Sequence, residues 1–277
     1  MLKTRLIPVL LLKNGILVRS RNFSLHQSTG NHLYQVQRFS EWKADEIIYL
    51  DITRDDKYNL YSGQSVIGST SSNINLKHNN QNNIIDIIKS VSKVCRVPLT
   101  IGGKIKNLKD ISLRLKAGAD KVAINTAALD NPSFIKEASE EFGSQCIVIS
   151  IDVKKDINSK SNNWNIYKSF GKEIVDLDLK EWVNKIQHLG AGEILIQSID
   201  NDGKGKGYDL ELLKTISKIS KIPVIALAGV GEYQDFVDGY NVNQDLALAA
   251  ANIFHFTELS VLNAKKYMIK NKINTRL

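Results

Sequence analysis

Gly192–Asp209 reads GEILIQSIDNDGKGKGYD. Glu193–Ser198 is a short, mostly apolar run with no polar face, the pattern of a strand buried in a parallel sheet rather than of a helix. Asp200 and Asp202 follow, then glycines at alternate positions, Gly203, Gly205 and Gly207. A strand that ends in carboxylates and a glycine-rich loop suits ligand holding. Glycine lets backbone N–H groups approach an anion such as phosphate, and carboxylates bind or move protons. A solvated surface loop has the same composition, so the rest of the chain decides between the two.

Outward from this stretch, apolar runs of strand length alternate with helical periodicity. Leu6–Leu12 reads as a buried strand closed by the turn Lys13-Asn14-Gly15. His32–Lys43 predicts a helix, Glu46–Asp51 a strand ending in an aspartate, and Ile84–Val94 and Leu108–Ala117 helices around the strand Val97–Ile101. Lys121–Asn125 and Gln145–Asp152 are further strands, and Pro132 stands where the first turn of a helix tolerates it. Leu177–Leu189, Leu210–Ile219, Tyr233–Tyr240 and Thr257–Met268 read as helices, and Ile222–Leu227 and Leu246–Ala251 as strands. Eight strand–helix units in one chain of 277 residues predict a (β/α)8 TIM barrel over 1–277, with a doubly wound open sheet as the competing fold.

A half-barrel pseudo-repeat supports the barrel: Ile101-Gly102-Gly103 after strand three matches Ala228-Gly229 after strand seven. In a barrel all strand C-termini open onto one face, so Asp51, Lys104, Asn125, Asp152, Asp202 and Gly229 are expected to converge there. Each Asp or Asn could instead cap the helix that follows it. Residues 54–83 form a polar, Asn-rich insertion, expected to be mobile. Val153–Glu173, with Trp164 and Tyr167 among polar residues, reads as a β-hairpin over the barrel mouth.

The net charge of +8 mildly favours anionic ligands, but the basic residues form no stripe with interleaved aromatics, which argues against nucleic acid. Cys95 and Cys146 read as small core residues in a reducing compartment, not as a disulfide scaffold. No stretch approaches the ~20 apolar residues of a membrane span, and a cytoplasmic protein is expected. The five histidines and two cysteines show no metal-ligand spacing, and no strand–GxGxxG–helix fingerprint occurs, so neither metal nor cofactor is expected.

RLIPVLLLKNG at the start, DEIIYLDIT at 45–53, ADKVAINTAALDNPSFI at 119–135, FGSQCIVISID at 142–152, GAGEILIQSIDNDGKGKGYD at 190–209 and AAANIFHF at 249–256 together carry a resemblance. The chain resembles, end to end apart from the insertion, the cyclase subunit of imidazole glycerol phosphate synthase, a histidine-pathway barrel fed with ammonia by a glutaminase. The resemblance implies two catalytic carboxylates, at the ends of strands one and five. Asp152 matches the second, but the first position is Leu11. A leucine neither donates nor accepts a proton, and loss of one member of such a pair costs on the order of 10²–10⁴ in rate. By the same resemblance Arg19, Asp51, Gly103, Lys104, Asn125, Thr126, Asp202, Gly203, Gly229 and Asn252 would bind phosphate or substrate. Lys104 replaces a glycine, Leu227-Ala228-Gly229 replaces Ser-Gly-Gly, Gln197 replaces a threonine, and Arg19 replaces a lysine.

At the opposite end the family's ring of charges is present as Arg5, Glu46, Lys121 and Glu193, the implied ammonia gate, with Asp120 at the implied glutaminase interface. Four stabilising charges at the barrel base would give the same pattern, and mutual pairing is expected either way. A matching ammonia gate beneath altered ring-closing chemistry resembles an offshoot of the family associated with surface-polysaccharide modification. There, with an ATP-using sugar amidotransferase, ammonia turns the acetamido group of a nucleotide sugar into an acetamidino group. The expected ligand is then a small phosphorylated compound or nucleotide sugar. An active histidine-pathway cyclase and a non-catalytic scaffold that activates the glutaminase are the alternatives.

Overall fold

Eight parallel strands, nearly all of whose residues are buried, close into a cylinder in the computed structural model, which describes residues 3–54, 58, 83–156 and 163–277. The chain opens with β1 (Leu6–Lys13), β2 (Ile16–Arg21), β3 (Leu25–Gly30), α1 (His32–Glu41) and β4 (Ile47–Asp51). Next come α2 (Ile84–Val91), β5 (Leu99–Gly102), α3 (Leu108–Ala117), β6 (Lys121–Ile124), α4 (Thr126–Asp130) and α5 (Ser133–Phe142). β7 (Ile147–Lys155), β8 (Trp164–Lys168), β9 (Glu173–Val175), α6 (Leu179–His188) and β10 (Glu193–Ser198) follow. α7 (Leu210–Ile219), β11 (Val224–Leu227), α8 (Gln234–Val242), β12 (Ala247–Ala250) and α9 (Ser260–Lys270) complete the chain. The order β10-β11-β12-β1-β4-β5-β6-β7 closes through β10–β7 pairing, six residues long from Glu193↔Val148 to Ser198↔Val153. The fold is the predicted (β/α)8 barrel.

Alternation along each strand sorts two cores. Ile7, Val9, Ile48, Ala123, Val148, Leu195, Ile225, Ala247 and Ala249 fill the inside of the barrel, while Leu6, Leu10, Ile47, Tyr49, Ile147, Ile149, Ile194 and Ile196 belong to the larger core that includes the helices' buried side chains. Five of the helices start at a side-chain cap: Asn31, Asn83, Asn107, Asp178 and Asp209 each accept a backbone N–H of the first turn of α1, α2, α3, α6 and α7. At the barrel base one charge pair is almost wholly buried, Lys265 Nζ lying 2.8 Å from Asp45 Oδ2.

The element expectations needed few corrections. The last helix starts at Ser260 rather than Thr257, because a short 3-10 turn occupies Asn252–His255 and Leu259 takes a left-handed φ of 54°. The fifth barrel strand starts at Ile147, after a 3-10 turn at Ser144–Cys146, and runs on to Lys155 because it pairs antiparallel with β8. Where a hairpin over 153–173 was expected, the described residues show a three-stranded meander of β7, β8 and β9. A hairpin that the sequence reading did not anticipate, β2–β3, continues from β1 at the same end of the barrel. The Asn-rich insertion lies outside the described residues except for Arg54, Tyr58 and Asn83.

Candidate functional site

A cavity of about 1050 Å³ occupies the C-terminal mouth, bounded by the ends of β1, β4, β5, β6, β7 and β10. Leu11 on β1 and Asp152 on β7 face it from opposite sides, since four steps of strand order separate their strands in either direction. Asp152 is 9% exposed, and among the described residues only the Ser150 hydroxyl reaches its carboxylate, at 3.4 Å. Burial pushes its pKa up to about 7; Ser150 opposes the shift and the Asp202 charge adds to it. Asp152 is thus poised as a proton donor or acceptor near neutral pH, and the matching position across the cavity, on β1, is a leucine.

The first half of the cavity gathers Asp51, Gly103, Lys104, Asn125 and Thr126. Asn125 Nδ2 donates to the carbonyls of Ser150 (3.2 Å) and Tyr167 (3.4 Å), and Thr126 Oγ1 accepts the Ser169 N–H at 3.2 Å. These bonds tie the β6 end to the β7–β8 meander. Asp51 is fully buried: it accepts the Thr53 N–H at 2.9 Å and the Tyr58 hydroxyl at 3.1 Å, and lies 3.7 Å from Lys104 Nζ. It holds the start of the insertion and the Lys104 ammonium. Lys104 occupies a left-handed φ of 54°, the conformation that favours glycine.

Asp202 ties two segments of the mouth together. Its carboxylate accepts the Ser20 hydroxyl at 2.7 Å and the Phe23 N–H at 3.0 Å, and its carbonyl accepts the Asn22 N–H at 3.0 Å. It fastens the β2–β3 tip over the mouth and lines neither described cavity. Burial raises its pKa, while the Phe23 N–H and Ser20 lower it. Beyond this hairpin a second cavity of about 520 Å³ takes in Arg19, Gly203, Lys204, Gly231 and Asn252. Arg19 is held by Gln27 and stacks over Phe256, 5.2 Å from its ring centre, while Asn252 Nδ2 donates to Ser20 O at 2.9 Å. Gly229 lies beneath: a Cβ there would meet Gly207 O at 2.0 Å, and the Gly207 N–H donates to Gly229 O at 2.9 Å. Its neighbour Ala228 is forced to φ 90°, a strain of about 1–3 kcal/mol for a residue with a Cβ.

At the barrel base Arg5, Glu46, Lys121 and Glu193 form a closed ring of alternating charge. Arg5 Nη1 pairs with Glu46 at 2.5 Å and Arg5 Nη2 with Glu193, while Lys121 Nζ bonds Glu46 at 3.0 Å and Glu193 at 2.9 Å. Burial works against the Lys121 and Arg5 cations, but the two glutamates overcome it and hold both pKa values above their usual range. Asp120, exposed beside β6, accepts the Leu99 N–H at 2.8 Å.

The sequence reading did not bring Lys13, His26, Arg54 and Ser150 to the mouth, where all four line the large cavity. Burial, Lys13 and Arg54 hold His26 neutral, with a pKa of about 4, and its Nδ1 lies 3.2 Å from Lys13 Nζ. Lys13 stands directly after the strand-one run and was legible from it, whereas His26 needed the unanticipated hairpin. Among the described residues no cluster of His, Cys, Asp and Glu could hold a metal ion, and no helix is long and apolar enough to cross a membrane.

A family model described as histidine biosynthesis protein matches residues 5–260. Over all 277 residues the chain is 41% identical to a provisionally named imidazole glycerol phosphate synthase subunit hisF2 of Vibrio vulnificus, covering 92% of that protein. It is 39% identical to imidazole glycerol phosphate synthase subunit HisF of Hydrogenobaculum sp., with the whole of both chains covered. The corresponding subunit of Wolinella succinogenes is 38% identical over 276 residues, 99% of its length.

Proposed function

The chain belongs to the histidine biosynthesis protein family, and on that premise we propose that it is the barrel subunit of a glutamine-dependent system, receiving ammonia at its base and delivering it at its mouth without closing an imidazole ring. One observation carries this reading: the basal ring Arg5–Glu46–Lys121–Glu193 is complete, while the mouth sets Leu11 across from Asp152. Ring closure by paired carboxylates needs an acid and a base on opposite faces of the substrate, and a leucine supplies neither. Ammonium is charged and does not cross an apolar interior, so ammonia travels neutral, past a ring that opens and along Val9, Ile48, Ala123 and Leu195. The partner is a glutaminase docked at the base around Asp120, and the acceptor is an acetamido nucleotide sugar handled with an ATP-using amidotransferase.

The names of the relatives favour a second reading, a histidine-pathway cyclase working with Asp152 alone. The delivery role is tested on the complex with a co-expressed glutaminase. The expected result is a stable heteromer that hydrolyses glutamine faster than the glutaminase alone, with Lys121→Met releasing ammonia to the solvent instead of the mouth. Failure to form that complex would refute delivery.

A further inference from the structure

Residues 83–118, from the cap of α2 through β5 to the end of α3, hold eight basic and two acidic residues, six of the chain's eight net positive charges. Lys104 is held at Asp51, and Arg114 is buried, its guanidinium bonded to Gly103 O and Asp110 O. The other six, Lys89, Lys93, Arg96, Lys106, Lys109 and Lys116, are exposed, and their side chains have no ion-pair or hydrogen-bond partner among the described residues. Asp86 and Asp110 stand in the first turns of α2 and α3, where a carboxylate meets the positive end of the helix dipole. On α3, Lys109, Leu113 and Lys116 recur at i, i+4 and i+7 and make one outward stripe about 10 Å long. Leu113, at its centre, is 42% exposed. Ser92 Oγ donates to Ala117 O at 3.2 Å, which joins the ends of the two helices and places Lys93 beside the Lys116 end of the stripe.

Neither described cavity reaches Lys89, Lys93, Arg96, Leu113 or Lys116, so this charge belongs to the outer face of two helices. Residues 83–118 contain no aromatic side chain, and the stacking that nucleic-acid recognition uses is missing. Five of the six exposed cations are lysines, point charges without the planar fork that selects a carboxylate or phosphate by its geometry. An anionic bilayer demands neither stacking nor a fork. It attracts clustered lysines, at about fivefold in affinity for each one near the surface, and it lets an exposed leucine leave water. We propose that the α2–α3 flank docks on the anionic surface of a lipid bilayer, with the six cations at the phosphate headgroups and Leu113 entering the headgroup layer. Base and mouth lie at the two ends of the barrel, so both stay open when the flank is engaged. Docking of this kind does not depend on ammonia delivery.

The test is co-sedimentation of the full chain with vesicles of phosphatidylcholine alone and of phosphatidylcholine containing one quarter phosphatidylglycerol, at about 0.15 M salt. At least about tenfold stronger partition onto the anionic vesicles is expected, falling toward the phosphatidylcholine value at about 0.5 M salt. Lys89→Gln, Lys93→Gln and Lys116→Gln combined should weaken it at least about tenfold, and Leu113→Gln about threefold. Lys214→Gln, Lys218→Gln and Lys221→Gln combined remove the same charge from the α7 flank, across the barrel from α2, and should leave it within about twofold. Equal binding to both vesicles, no binding to either, or the same loss in both triple variants would overturn the docking face. Release from the vesicles by duplex DNA at equal phosphate concentration would assign the face to nucleic acid instead. The comparison of the two vesicles with the natural chain decides even if a variant fails to fold.

Discussion

Asp152→Asn is expected to make the protein more stable at pH 8 by about 2–4 kcal/mol and to change its stability little at pH 4. The cause is desolvation. The unfolded chain titrates this carboxyl near ~3.9, whereas burial raises it to about 7 in the folded protein, with the Asp202 charge adding and Ser150 opposing. Between those values the folded state keeps a proton that the unfolded state releases. Stability from this group is therefore intact at low pH and falls as pH rises toward 7. Asparagine keeps the shape and a hydrogen-bonding edge but has no charge to bury, so the loss disappears. Urea unfolding of both proteins at pH 4 and pH 8 measures the difference directly. Equal stability changes at the two pH values would show that Asp152 is well solvated and unsuited to proton transfer near neutrality.

A loss of about 3–5 kcal/mol is expected for Asp45→Ala. Lys265, on α9, is 1% exposed in its side chain and pairs with Asp45 Oδ2 at 2.8 Å. The same oxygen accepts the Leu6 N–H at 2.8 Å, so one carboxylate anchors α9 and the start of β1 together. Removing it strands a cation in an apolar interior. Burial lowers the Lys265 pKa, Asp45 opposing, so the folded state resists the charged form; stability from this group rises with pH below the unfolded value of ~10.4. The loss in Asp45→Ala should accordingly be smaller at pH 10 than at pH 7, and Lys265→Met in the same background should recover most of it. Chemical unfolding of the single and double variants settles this, and a loss unchanged by the second substitution would point to the Leu6 bond instead.

Much of the barrel was legible because a buried parallel strand writes itself as a run, as in Glu193–Ser198, and a helix as a stripe, as in Leu108–Ala117. The β2–β3 hairpin was not. ILVRSR and LHQSTG are short and partly exposed, and their pairing is fixed by Leu11↔Val18 and Arg19↔Gln27, which are tertiary facts. From that gap follow the contacts of the mouth that the sequence did not show. The hydrogen-bond partners of Asp202, Ser20 and Phe23, lie some 180 positions away in the chain. Asp51 likewise ends a strand, yet Thr53, Tyr58 and Lys104 occupy it. Arg5, Glu46, Lys121 and Glu193 lie at or just before the starts of β1, β4, β6 and β10, and only the closed cylinder shows that each cation touches both anions.

The most direct test of a mouth diverted from ring closure is turnover of the histidine-pathway ribonucleotide substrate with free ammonium salt, comparing the natural chain with Leu11→Asp. Ammonium bypasses the glutaminase, so the assay reads the mouth alone. The account predicts no ring closure by the natural chain and a partial gain in Leu11→Asp, where the second carboxylate is restored opposite Asp152. Robust turnover by the natural chain would contradict it and assign the chemistry to Asp152 alone.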